Sequence, residues 1–387
     1  MSPIASPERQ RQPVECVVKV NDVEITEFYP FLREVQVSMS RRAATTATLS
    51  FDSVRLENGS WKVQDAGLFM PWRRIRIDAV FGLQSEEVMR GFIKEVRCEY
   101  PEDKSAAKVT LSAQDESLAL DRQQVTNPIS TQDAPKSDKE IVEQIAAAHG
   151  LETDVETGLT NAALNFDGTE VRLLQSRAEA NGHEFYVRAG KLCFHAPRLD
   201  QNAVDEPIRV YAGADTNCLR FSSSFDGHKP DIVTVMRASE TDPQNPDQED
   251  FKPNLRQLGT TPASSEDSGL PSFASKIPAP TGGTPEEAHA RAQAKANENA
   301  WKISAEGELD GALYGHVLLT HTLVVVDGAG ETYGGTYYVD EVQHRFSTDG
   351  YRQGFKLLRN ATGEEGMPGA ASVLAPVLGI FGMSGMR

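Results

Sequence analysis

The sequence predicts a mainly β protein carrying an α+β insert, with two similar β-barrel domains in one chain. Three observations predict it. Apolar residues alternate with polar ones through residues 15–124 and again through 302–362. Residues 125–204 switch to helical spacing between turn signals. Two stretches, one near each end, share a single plan of strands and loops.

Residues 1–14 read as a flexible arm. In the first barrel domain, 15–124, Val35, Val37 and Met39 alternate, as do Ala47, Leu49 and Phe51, then Ile75, Ile77 and Ala79, then Val109, Leu111 and Ala113. Period-two runs separated by turns such as Glu57-Asn58-Gly59-Ser60 are half-buried strands. In the insert, 125–204, Ser137 and Glu140 form a capping box that starts a helix, and Gly150 ends it. Asp167 with Glu170 opens a second helix, whose inner face is Val171, Leu173, Leu174 and Ala178, and Asn181-Gly182 stops it. A hairpin follows, Glu184–Val187 and Leu192–Phe194, turning at Ala189-Gly190.

Residues 205–238 supply strands that complete the barrels: Ile208–Tyr211, Cys218–Phe221 and Ile232–Val235. Residues 239–283, rich in Pro, Ser, Asp and Glu, read as a long Pro/acidic loop. Thr284-Pro285-Glu286-Glu287 starts a helix over 284–301, with Pro at the first helical position. The second barrel domain, 302–362, has one strand through Val317, Leu319 and Thr322–Val326, a hairpin turn at Asp327-Gly328-Ala329-Gly330, and two more strands at Tyr337–Val342 and Gly354–Leu358. Residues 363–387 form an apolar, Gly-rich tail.

The repeat pairs Arg74–Ile77, Gly91–Val96 and Val109–Leu111 with His316–Leu319, Gly335–Val342 and Phe355–Leu357. Coincidence among hairpins is the bland explanation. Two copies of one small barrel is the sharper one, and three such chains would present six quasi-equivalent surfaces.

Asp and Glu outnumber Lys and Arg by 56 to 39, a net charge of −17. That disfavours nucleic acid and anionic membrane as main partners, because phosphate binding needs clustered cations. The close Arg pairs, Arg41-Arg42 and Arg73-Arg74, read as solvated strand ends. Cys16, Cys98, Cys193 and Cys218 are scattered, which suits reduced structural thiols rather than a disulfide or zinc framework. The N-terminal stretch has no apolar core of a secretory signal, and no run of residues is apolar enough for membrane insertion.

No motif reads as an active site. Asp115-Glu116 and Asp340-Glu341 are paired carboxylates, but strand neighbours point to opposite faces. His316 and His321 are poorly placed as joint metal ligands on a strand. Ser222-Ser223-Ser224 with Asp226 and His228 suggests a triad, yet there is no nucleophile elbow, and a polar turn explains the cluster better. Gly328-x-Gly330 lies in a hairpin and makes no phosphate loop. The expectation is a structural protein without catalytic, cofactor or metal residues.

Four segments together carry a family resemblance. They are Arg172–Val187 with Gly190-Lys191-Leu192, Pro230–Val235, the Ala-rich helix Ala288–Ala300, and Gly334–His344 followed by Gly350-Tyr351 and Phe355. In this order they resemble the late control protein D family, the baseplate hub proteins of contractile phages. The same module forms the N-terminal part of the type VI secretion spike protein VgrG. The resemblance implies a homotrimeric hub whose two barrels per protomer make a pseudo-sixfold ring, adapting a hexameric tube to a trimeric spike. The implied partners are the chain itself, the first tube ring or a tube-initiator protein, a separate spike protein and other baseplate proteins. The separate spike is expected because the fused type VI proteins continue into an oligosaccharide-binding-type domain and a β-helical needle. The implied location is a phage tail-like particle assembled from subunits made in the bacterial cytoplasm. The alternative is a peptidoglycan- or carbohydrate-acting tail protein, which needs a carboxylate pair in a groove. A tube–baseplate adaptor with a peptidoglycan-binding motif is a third option, but such adaptors are shorter.

In the tail, Val373, Leu374, Val377, Leu378, Ile380, Phe381 and Met383 form a dense apolar set. They are expected at a spike or subunit contact, the other readings being a disordered end or a strip folded on its own barrel. Pro376, Gly379 and Gly382 break the run, which argues against a bilayer anchor.

Overall fold

A computed structural model describes residues 13–102, 107–237, 247–264, 271–278 and 284–363. The protein is mostly β, with few helices and a curled, half-barrel sheet of thirteen strands. Its first stretch holds β1 (Val14–Val20), β2 (Leu32–Ser40), β3 (Ala43–Ser53), β4 (Arg74–Phe81), β5 (Gln84–Glu99) and β6 (Ala107–Asp115). The alternation expected here is the observed burial: Val35, Val37, Leu49, Phe51, Ile77 and Leu111 are buried between polar neighbours.

The insert packs α1 (Asp138–Ala148) and α2 (Glu170–Asn181) on β7 (Glu152–Val155), β8 (Glu184–Arg188) and β9 (Lys191–His195). The α1 capping box forms as expected, with Ser137 Oγ accepting from Glu140 N–H at 3.3 Å and Glu140 accepting from Ser137 N–H at 2.7 Å. The α2 start differs from expectation. Thr169, not Asp167, is the N-cap, and its hydroxyl donates to Asp121 instead of accepting from the helix. Gly182 ends α2 at φ 67°, and a Cβ there would meet the Ala294 Cβ at 2.9 Å. Glycine thus serves both the left-handed cap and the close approach of the next helix.

The next strands are β10 (Cys218–Phe225), β11 (Ile232–Arg237), β12 (Asp247–Phe251) and β13 (Ala274–Pro278). Residues 239–283 were expected as a loop. Their described part instead flanks β11 on both sides, with β12 antiparallel and β13 parallel to it. Only Ile208–Arg209 of the expected strand at Ile208–Tyr211 is paired. Ser222–Ser224 lie within β10 rather than in a turn, while Asp226 and His228 do form the polar turn. Helix α3 (Pro285–Asn299) begins as predicted, with Thr284 Oγ1 accepting from Glu287 N–H at 3.2 Å. The chain closes with β14 (Ile303–Asp310), β15 (Leu323–Asp327), β16 (Gly335–Ser347) and β17 (Gly350–Arg359), and a single helical turn, Gly330–Tyr333, fills part of the expected β15–β16 hairpin turn.

Pairing reveals a duplicated module. The order β2-β3-β6-β5-β4 recurs as β10-β14-β17-β16-β15, all antiparallel. The registers repeat too. Leu49 faces Leu111 and Leu111 faces Val96, as Gly307 faces Phe355 and Phe355 faces Val342. A bulge falls after Leu32 in one copy and after Cys218 in the other, and a second falls after Ile93 and after Val339. Before each third strand sits one non-glycine residue at positive φ, Trp72 at 69° and His321 at 61°. Each donates its N–H back to the bulge, Trp72 to Ile93 and His321 to Val339. Bulges are placed features of a strand, so shared bulges at shared registers mark a real repeat.

This corrects one line of the predicted repeat. The counterpart of Arg74–Phe81 is β15, not His316–Leu319, which forms no strand. Backbone groups there are satisfied by side chains: Val317 N–H donates to Glu86 Oε2 at 2.6 Å and Leu318 N–H to Gln353 Oε1 at 2.8 Å. The two copies meet edge to edge where β2 pairs β16, from Glu341 opposite Ser40 to Ser347 opposite Glu34. Each copy keeps its own core, around Leu49 and Ile77 in one and Val339 and Leu357 in the other.

Candidate functional site

A cleft of about 640 Å³ opens where the first module, the insert and α3 converge. Its floor is an ionic cluster around Arg41, which the β2–β3 turn carries inward. Arg41 Nε donates to Asp340 Oδ1 at 3.1 Å, one terminal nitrogen to Glu184 Oε1 at 3.4 Å, and the other to both Glu298 oxygens at 3.2 Å. Its main-chain N–H donates to the Asp340 carbonyl at 2.8 Å. Asp340 is the extra residue of the β16 bulge, which is why its side chain turns inward while Glu341 stays exposed.

Glu184 on β8 is buried and also accepts from the Tyr338 hydroxyl and, at 2.9 Å, from His321 Nδ1–H. Burial disfavours its charge, but His321, Arg41 and Tyr338 together outweigh burial and hold the carboxyl below its ordinary value. Burial pushes the His321 imidazole below its usual value, against the pull of Glu184. The Tyr186 ring stacks on His321 at 3.8 Å, and Trp301 stacks on Tyr338 at 5.7 Å. Arg188 donates to the Thr320 carbonyl and hydroxyl, both at 2.9 Å. Every charged group here is bound to another element, so the cluster is a lock joining four parts of the chain.

A second lock joins the helices. Arg177 on α2 grips Asp138 on α1 at 2.7 and 3.2 Å and reaches Glu287 on α3 at 3.2 Å. Asp138 also accepts from Asn161, Asn181 and the Leu159 N–H. Sequence patterning missed Arg41 and Arg177. A charged residue on an expected inner helix face was the available signal for the second, since Arg177 adjoins Ala178 and follows Leu174 by three.

Of the residues weighed from sequence, Asp340 and His321 meet in the Arg41 cluster, Asp340 directly and His321 through Glu184, while the others are held elsewhere. Asp115 caps a turn, accepting from Thr45 N–H at 2.6 Å and Ser117 N–H at 3.0 Å, while Glu116 accepts from Gly190 N–H at 2.8 Å. His316 pairs with Glu86 at 2.7 Å, away from the His321–Glu184 pair. Gly328 sits where a Cβ would meet the Val210 carbonyl at 1.8 Å, so its role is close packing. The apolar set Val373 to Met383 lies outside the described residues. Asp154, Cys193 and His195 approach within 4.8 Å of one another, a grouping no sequence spacing indicated. Both Asp154 oxygens already accept from Arg198, at 2.8 and 2.5 Å, so the positive charge a metal would bring is present as guanidinium.

Asp115 gives a pH prediction. Burial raises its carboxyl from an ordinary 3.8 to about 6, partly offset by the Ser117 and Thr45 donors. The folded chain therefore binds this proton more tightly than the unfolded one. Its contribution to stability is greatest below about pH 4 and is lost as pH rises through about 6. Asp115→Asn should remove this slope. Urea melts at pH 4 and pH 7 should show wild type losing about 2–3 kcal/mol relative to the variant between them. Parallel pH profiles for the two proteins would reject the assignment.

Solved structures share this fold. The 43 kDa tail protein of prophage MuSo2 from Shewanella oneidensis matches with a TM-score of 0.66 at 15% identity, over 89% of this chain and 98% of that one. The tail protein from Neisseria meningitidis MC58 gives 0.64 at 12%, over 90% and 97%. The E. coli c3393 protein, described as a type VI secretion component similar to T4 tail proteins gp27 and gp5, gives 0.51 at 9%, over 90% and 77%. At these identities the likeness is one of fold. No curated protein matches the sequence. A family model described as the Alg8 N-terminal domain matches residues 10–348.

Proposed function

The chain belongs to the Alg8 N-terminal domain family, and we propose that it is the baseplate hub subunit of a contractile injection machine. In this reading three copies form a ring that adapts a hexameric inner tube to a trimeric spike. The observation that carries it is the duplicated five-strand module, because two equivalent modules per chain turn threefold assembly into six near-equivalent positions. The fold shared with tail and type VI proteins supports the same reading.

The role is structural rather than catalytic. Two carboxylates lining the central cleft, Glu184 and Glu298, are ion-paired with Arg41, which favours a structural lock over the peptidoglycan- or carbohydrate-acting alternative. No described helix is long and apolar enough to cross a membrane. The partners are further copies of the chain, the first tube ring or tube initiator, a separate spike and other baseplate proteins. The particle is assembled from cytoplasmic subunits. Sheath, tube and spike genes beside this one are the quickest independent check.

The apolar set of the tail, Val373, Leu374, Val377, Leu378, Ile380, Phe381 and Met383, is the proposed spike or subunit contact. Each large side chain buried there would contribute roughly 1.5–3 kcal/mol before ordering costs. A chain truncated after Gly366 should keep its fold and lose spike protein on co-purification. Undiminished spike recovery with an intact trimer would make the tail dispensable.

A further inference from the structure

The junction inside the chain is a template for a junction between chains. Within one chain, the first strand of one module, β2, adds to the fourth strand of the other, β16. The reciprocal pair is β10, the first strand of the second module, and β5, the fourth strand of the first. Both have an open edge among the described residues. Among the described residues strand β10 pairs only with β14 and ends the sheet. Strand β5 pairs with β4 through Gln84–Phe92 and with β6 through Gly91–Glu99, so among the described residues no strand lies on the β4 side of Lys94–Glu99. On β16 the matching residues are those that receive β2.

We propose that β10 of one chain pairs antiparallel with Lys94–Glu99 of β5 in the next, repeating the β2–β16 register. This rests on the trimeric hub reading and deepens it. Transferring the register through the repeat sets Val96 opposite Phe225, Cys98 opposite Ser223, Glu99 opposite Ser222 and Tyr100 opposite Phe221.

Two observations carry this beyond topology. The first is burial. The template seam is closed by Val35, Val37 and Met39 on β2 and by Val342, His344 and Phe346 on β16, all buried. Their counterparts are Phe221, Ser223 and Phe225, and Val96, Cys98 and Tyr100. The same mostly apolar positions are left open, with Phe225 41% and Tyr100 59% exposed. An open edge carrying exposed aromatics is a template for strand addition. The second is charge. The template seam is bridged on its outer face by Arg345 and Glu34. Their counterparts are Glu99 and Arg220, the same ion pair with its signs exchanged. Among the described residues Glu99 pairs only along its own strand, with Arg97 at 2.9 Å. A head-to-tail junction of this kind generates a closed ring when its rotation closes, here after three chains and six modules.

The test uses the full chain and the native Cys98. Ser223→Cys should give covalent dimers and trimers under a mild oxidant, because directly opposed strand residues have the Cα spacing a disulfide needs. The ladder should read one, two and three times 42.3 kDa on non-reducing gels. Ser222→Cys, facing the other side, should give none. Arg220→Glu should dissociate the trimer in native mass spectrometry, and adding Glu99→Arg should restore it. A trimer that forms no Ser223→Cys cross-link and ignores Arg220→Glu overturns the strand junction while leaving the hub reading standing. A chain that stays monomeric at every concentration overturns both.

Discussion

Replacing Arg41 with Ala should cost about 3–5 kcal/mol of stability, among the largest losses available to a single substitution here. The guanidinium is nearly inaccessible and is the shared cation for Asp340, Glu184 and Glu298. Its removal leaves Glu184 and Asp340 buried with reduced compensation, and it loosens a junction that ties the first module to the second module, the insert and α3. Arg42 is the internal control. It touches the same Glu298 but is 63% exposed, so Arg42→Ala should change stability by no more than about 1 kcal/mol. Urea denaturation read by tryptophan fluorescence suits the comparison, since Trp301 lines the cleft. Equal, small losses for both variants would mean that the cluster is not a lock.

Arg177→Met should cost a similar amount, about 3–5 kcal/mol, because it strands the fully buried Asp138 carboxylate. The neutral donors from Asn161, Asn181 and Leu159 would remain, and they offset part of the charge but do not neutralise it. Adding Asp138→Asn should therefore recover part of the loss, a coupling of about 1–3 kcal/mol by double-mutant cycle. Additive losses would place the energy in helix packing rather than in the ion pair. The insert should also loosen from α3, since Arg177 reaches Glu287 across that contact.

The elements governed by local rules were legible in the sequence. The capping box at Ser137 and Glu140 and the Thr284-Pro285 start of α3 are decided by neighbours three residues apart, and both form as read. The repeat was legible in two of its three strands. Its third was misplaced because Val317 and Leu319 alternate like a strand, while Glu86 and Gln353, distant in sequence, satisfy the backbone there. The strands within 239–283 were hidden by proline and acidic composition, since their pairing with β11 is a tertiary event. Arg41-Arg42 read as a solvated strand end. Arg41 is buried against partners far along the chain, Glu184, Glu298 and the Asp340 of a bulge 299 residues away, and no local pattern encodes that.

Electron microscopy of the assembled particle is the most direct check on the hub. The expected image is threefold density at the base of the tube, with six β modules in a pseudo-sixfold ring, alternating between the first and second copies of each chain. A single chain per particle, or three chains whose modules lie apart without forming a ring, would contradict the account.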